Sequence, residues 1–192
     1  MEYALAIDDA PETVSGGTGI LLLHPSTGAT DRIDTEFLAA DTDAFLVVST
    51  RTTAREVRQK LEYYDVDASK AVILDTLSVE RGYSRREGDD VHYASAPDDL
   101  DGIVAGVEDF LKTHDGKLRV TLDSVTEMAY YADEERTRDA VERILALLSE
   151  HDAVGLFHLS PEVHDDDVVA GYENLFGGAV EISEDDSVDV RF

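Results

Sequence analysis

The chain has 192 residues, no cysteine, and 43 acidic against 16 basic residues, for a formal charge of −27. That length supports a sizeable core, the missing cysteine excludes disulfide and thiolate chemistry, and the charge disfavours nucleic acid and anionic membrane as partners. Only four of the basic residues are lysines and the acids run along the whole chain, a composition that concentrated salt tolerates by screening self-repulsion. No apolar run approaches the ~18 residues of a spanning helix. The first residues, MEYALAIDDAPE, lack the basic region of a secretory signal, so a cytoplasmic protein is expected.

Residues 1–15 form a short N-terminal extension in which Tyr3, Leu5 and Ile7 alternate, as in an edge strand. The first core strand is GILLLH, Gly19 to His24, followed by the turn Pro25-Ser26-Thr27-Gly28-Ala29-Thr30. A helix follows from Asp31, with Thr30 or Asp31 as its cap and Ile33, Phe37 and Leu38 on one face. AFLVVST, Ala44 to Thr50, is a continuous apolar run, the mark of a strand buried on both faces. The next helix, TAREVRQKLEYY, spaces Val57, Leu61 and Tyr64 three or four apart, and KAVILDTL supplies a third strand, Lys70 to Leu77.

SVERGYSRREGDDVHYASAPDD has no clear period and reads as loop, with VHYAS as a short strand. Its Arg81, Arg85 and Arg86 are the most basic spot in the chain, suited to local carboxylates or an acidic partner. A helix opened by Pro97 and two aspartates buries Ile103, Val107, Phe110 and Leu111. KLRVTLDS, Lys117 to Ser124, is a fourth strand. A long helix, EERTRDAVERILALLSEHD, turns Val141, Ile144, Leu145 and Leu148 inward. AVGLFHLS is a fifth strand, DDDVVAGYENLF a helix, and GGAVEISE with SVDVRF a closing hairpin. Strand and helix alternate without a linker or repeat, so residues 1–192 read as one α/β domain, a three-layer sandwich with a mostly parallel central sheet.

Open parallel sheets bind ligands beyond the carboxyl ends of their strands. After the first strand, Gly28-Ala29-Thr30 stands where a phosphate loop carries Gly-Lys-Thr or Gly-Lys-Ser; the alternative is an ordinary Pro/Gly turn opening a helix. Asp123 closes the fourth strand, the place of a magnesium carboxylate or simply of a strand-end aspartate, with Ser124 and Thr126 beside it to bond the neighbouring strand. The second strand ends in Thr50-Arg51-Thr52, which supplies no general base. Asp75 is a lone carboxylate closing the third strand. His158 and His164 are six apart with Asp165 to Asp167 following, a spacing that fits no ordinary metal motif, and His24 meets His158 only if their strands adjoin. No metal site is predicted.

Together these stretches resemble the RecA/RadA-like ATPase domain, specifically the KaiC-like group common in archaea. GILLLHPSTGAT stands where that family has its strand and phosphate loop. AFLVVSTRTTAREVRQKLEYYDVD resembles its second strand and helix, and the run from Leu118 to Ser160 resembles its magnesium-binding strand, following helix and strand. LFGGAVEI resembles the late strand returning to the sheet. Haloarchaea carry many small acidic proteins of this kind, which the charge of −27 matches.

The resemblance implies the RecA-like P-loop NTPase topology, ATP and magnesium bound between subunits, and assembly into rings or filaments. By position, Gly28 and Thr30 would meet the nucleotide and its magnesium, and Asp123 would hold the metal through water. The departures count against hydrolysis: Ala29 replaces the lysine, and Thr50-Arg51-Thr52 replaces the segment that carries the catalytic glutamate. Losing one strong transition-state contact costs on the order of 10²-fold or more. The expectation is a catalytically inactive domain, with no catalytic residue and no cofactor, that acts through a protein partner or self-association as monomer or dimer. The alternatives are a weak nucleotide binder, or an ATPase rearranged around a neighbour's arginine.

Overall fold

The computed structural model describes every residue except 27–29, 84, 86, 87, 184 and 186. Eight strands form one sheet, flanked by helices on both faces as a three-layer α/β sandwich. In chain order the elements are β1 (Glu2–Ala4), β2 (Thr13–Ser15), β3 (Gly19–Leu23), α1 (Asp31–Ala39), β4 (Ala44–Ser49), α2 (Ala54–Tyr63), β5 (Ala71–Asp75) and β6 (Val91–Tyr93). These are followed by α3 (Leu100–Thr113), β7 (Leu118–Asp123), α4 (Val125–Tyr131), α5 (Glu134–Glu150), β8 (Val154–Leu159), α6 (Asp166–Glu173), β9 (Gly178–Ile182) and β10 (Val188–Arg191). The sheet order is β10-β9-β3-β8-β7-β4-β5-β6, parallel throughout except for the β9–β10 hairpin.

The internal strands are apolar because both faces are covered. In β3, Leu21 and Leu23 face a core built with α3, α4, α5 and α6, while Ile20 and Leu22 face a second core under α1 and α2. Phe37 and Leu38 of α1, both buried, anchor that second face. Each such side chain contributes roughly 1.5–3 kcal/mol. β1 and β2 form a separate two-stranded hairpin. It lays Tyr3, Leu5, Ile7 and Val14 onto the second core, so the N-terminal residues join the packing without joining the main sheet. Gly17, at φ 87°, turns the chain from that hairpin into β3.

Helix starts follow from local side chains. Thr53 and Glu56 form a reciprocal capping box on α2. Asp99, Ser124 and Asp133 cap α3, α4 and α5 by accepting from Gly102, Glu127 and Arg136 amides. Thr30 occupies the cap position of α1 with no side-chain cap bond, and Asp31 lies in the first turn. α4 is an element the sequence pattern does not signal: it has seven residues and buries only Val125 and Met128. No helix of the described residues is long and apolar enough to cross a membrane.

Candidate functional site

β3 and β8 are parallel neighbours, and β7 lies beyond β8 with β4 next to it. The turns after these four strands therefore open on one edge. There Ser26, Arg51, Ser124, Thr126, Ser160 and His164 line a cleft of about 330 Å3, with Tyr130 and Val163 on its apolar side.

Gly28 and Ala29 lie outside the described residues. Just before them, the Ser26 amide donates to the Glu162 carboxylate at 2.5 Å. Burial alone would raise the Glu162 pKa, but this bond and the Ser26 hydroxyl hold it below the ordinary value. Thr30 is buried at the head of α1. Asp123 ends β7, and its Oδ1 lies 3.5 Å from Arg51 Nη1. An anion from the chain thus sits on the turn amide and a cation faces Asp123.

Thr50 braces this edge. Its hydroxyl donates to the Asp123 carbonyl at 2.8 Å and accepts from the Ser124 amide at 2.7 Å, across a cis Asp123–Ser124 peptide. Asp75, one strand further out, is buried and fully engaged. It accepts from the amides of Ala54, Leu77 and Ser78 and from the Ser78 hydroxyl, so it holds the loops after β4 and β5.

Beneath the β3 turn lies a buried polar chain. His158 Nε2 is 2.6 Å from Asp34 Oδ1, and His158 Nδ1 is 3.1 Å from His24 Nε2. His24 Nδ1 is 2.8 Å from the Pro25 carbonyl, which can only accept, so this nitrogen carries the proton. With His24 neutral, its Nε2 accepts, and His158 donates from both nitrogens, as an imidazolium. The charges agree. Burial and the His158 charge lower the His24 pKa, whereas at His158 the attraction of Asp34 and Asp123 outweighs burial and raises it. Lys60 reaches from α2 to Asp34 at 3.2 Å and Asp31 at 3.3 Å. Burial works against the Asp34 carboxylate, but His158 and Lys60 bring its pKa down to about 2. The two histidines do meet, but as hydrogen-bond partners. No cluster of three or more His, Cys, Asp or Glu suited to a metal occurs among the described residues.

His164 belongs to a different network. Its Nδ1 lies 2.5 Å from Glu134 and its Nε2 2.9 Å from the Thr126 hydroxyl, which accepts from the Ser160 amide at 2.9 Å. Tyr172 donates to the other Glu134 oxygen at 3.0 Å. Thr126 thus bonds the neighbouring strand's end, as its position beside Asp123 predicts. Sequence spacing carries no signal for Asp34, Lys60 or Glu162, which are distant in the chain from their partners.

The chain belongs to a family of unknown function, DUF7090, whose model matches residues 1–192. No curated protein matches it. Among solved structures it is similar to an ATPase of the type III secretion system of pathogenic bacteria, with TM-score 0.65 and 14% identity over 96% of this chain. It spans 57% of that ATPase's length. It is also similar to a KaiC-like protein from Pyrococcus horikoshii OT3, with TM-score 0.59, 14% identity, 91% of this chain and 76% of the other. An uncharacterized protein from Pyrococcus horikoshii in complex with an unknown peptide gives TM-score 0.63, 13% identity, 92% and 83%. At these identities the likeness is one of fold, a RecA-like three-layer α/β sandwich with a mostly parallel central sheet.

Proposed function

We propose that this member of the DUF7090 family is a non-hydrolysing RecA/KaiC-like domain that works by protein contact at the carboxyl edge of its sheet. One observation carries the proposal: the chain meets the needs of that edge with its own charges. Glu162 takes the Ser26 amide and Arg51 faces Asp123. A magnesium triphosphate would need both places, with the anion on the turn and the cation near the carboxylate. Ala29 supplies no lysine, and Thr50-Arg51-Thr52 supplies no base. These residues do not fit the nucleotide, and the phosphate loop is degenerate in this sense.

Contact is favoured by the cleft wall. Tyr130 is 81% exposed and Val163 61% exposed, beside the polar floor. Exposed aromatic groups of this kind anchor protein interfaces. The acidic surface fits a halophilic cytoplasm, and the same charge opposes nucleic acid.

The test is calorimetry with Mg-ATP in molar KCl, paired with a turnover assay. The expected outcome is no turnover and no heat that depends on Asp123. Saturable hydrolysis abolished by Asp123→Asn would overturn the proposal. For the contact role, sedimentation should show that Tyr130→Ala weakens self-association or binding to an isolated partner; indifference of both would count against it.

A further inference from the structure

A second cavity, of about 770 Å3, lies at the carboxyl ends of β5 and β6. Its volume falls in the roughly 300–1,000 Å3 range of small-molecule sites. Arg55, Arg58, Arg81, Tyr83 and Tyr93 are among its lining residues. Asp75 is one of its lining residues, and none of the residues lining the cleft beside β3 lines it.

Its lining brings together two arginines that are unpaired among the described residues. Carboxylates outnumber bases 43 to 16, yet Arg55, Arg81, Arg85, Arg119 and Arg136 have none within 4.0 Å among the described residues. Arg32, Arg51, Arg138, Arg143 and Arg191 all have one within 4.0 Å. Arg55 and Arg81 form no ion pair among the described residues, and both line this cavity. The acids around them accept hydrogen bonds from other donors, although the charges of Arg55 and Arg81 add to the Thr53 bonds in lowering the Glu56 pKa. Asp75 is saturated by four donors. Glu56 caps α2 by accepting from the Thr53 amide at 2.8 Å and hydroxyl at 2.7 Å. Asp90 pairs with Arg58. Two guanidinium groups with unmatched donors therefore border one concave space.

A guanidinium offers a planar fork of N–H donors that matches two phosphate oxygens, and it stays charged at any working pH. Tyr83, half exposed, adds an accessible ring on the same wall. Aromatic faces take planar rings in a way that tolerates ring identity. We propose that this cavity binds a phosphorylated small molecule bearing a planar ring, the chemistry of a nucleoside monophosphate. Arg55 and Arg81 hold the phosphate and Tyr83 takes the ring. Binding here requires neither magnesium nor Asp123, so it stands or falls independently of the function proposed above.

The test is calorimetry of the full chain with adenosine monophosphate in EDTA and molar KCl. The expected result is saturable binding that Arg55→Ala and Arg81→Ala each weaken about tenfold or more. Arg81→Lys, which keeps the charge and loses the fork, should fall between wild type and Arg81→Ala. Tyr83→Ala should weaken the monophosphate but not inorganic phosphate, which separates ring from anion recognition. Arg136→Ala, which changes an arginine outside the cavity, and Asp123→Asn should leave binding unchanged. Absence of saturable heat up to about 10 mM ligand would overturn the proposal. So would binding lost in Asp123→Asn and kept in Arg81→Ala.

Discussion

The backbone N–H of Ser26 donates to the carboxylate of Glu162 at 2.5 Å, joining the turn after β3 to the turn after β8. The two residues are 136 positions apart, and parallel pairing of β3 with β8 brings them together. An anion supplied by the chain therefore holds a backbone amide at this edge of the sheet. Arg51 plays the complementary part at Asp123.

If these two contacts exclude a magnesium nucleotide, removing them together should admit one. The double variant Glu162→Ala/Arg51→Ala is expected to bind Mg-ATP at least about tenfold more tightly than wild type, near 1.4 kcal/mol. Calorimetry in a background of Arg81→Ala keeps the second cavity from contributing. Unchanged affinity would mean that other features of the turn exclude the ligand.

The buried Asp34–His158 pair has a pH signature. Asp34 has its folded pKa depressed to about 2 from 3.8, so its contribution is present above the unfolded value and lost as pH falls from about 4 to 2. His158 has a folded pKa above 6.5, so its contribution is full below the unfolded value and lost as pH rises through the folded one. The destabilisation caused by Asp34→Asn should peak between about pH 4 and 6.5, at about 3 kcal/mol, and shrink on both sides. Urea denaturation of variant and wild type across pH measures this. The difference profile matters because His24, with its pKa lowered, works in the opposite sense near neutrality.

Asp75 closes β5, and its geometry assigns it to holding loops. Asp75→Ala would leave three amides in a buried site without their acceptor, costing about 2–4 kcal/mol. Asp75→Asn keeps one acceptor oxygen and should cost about half as much. Equal losses in the two variants, measured by urea midpoints, would show that charge and not acceptor geometry is what counts there.

The layered fold is legible because apolar runs such as Ile20 to Leu23 and Phe45 to Val48 have a single economical fate, a strand covered on both faces. The closing hairpin is legible for the same reason of pattern. α4 is not, since two buried positions in seven residues define no helical period. Neither is the Lys60–Asp34–His158–His24 chain. Its links run between residues as far apart as 134 positions and exist only once β3 and β8 adjoin. Arg119 is hidden differently: an arginine within a strand reads as a solvent-facing charge, yet it is buried.

Arg119 leads to the role of the N-terminal hairpin. Its Nη2 donates to the Ala4 carbonyl at 2.7 Å, and its guanidinium lies 5.3 Å from the Tyr3 ring and 4.8 Å from the Phe37 ring. Burial lowers its pKa to about 10, and Nε and Nη1 have no hydrogen-bond partner among the described residues. The Tyr3 hydroxyl donates to the Asp152 carbonyl at 2.8 Å and accepts from the Leu118 amide at 3.2 Å. Tyr3→Phe keeps the ring over Arg119 and removes both bonds, leaving the Leu118 amide buried without its acceptor, for an expected cost of about 1–3 kcal/mol. Tyr3→Ala also removes the ring and opens a cavity, so it should cost about 3–5 kcal/mol. Adding Arg119→Met to Tyr3→Ala should recover part of that loss, because a thioether needs no donors satisfied. Urea denaturation of the three variants separates the hydroxyl's bonds from the ring's cover. Strict additivity of Tyr3→Ala and Arg119→Met would show that the hairpin packs on the core without shielding the charge.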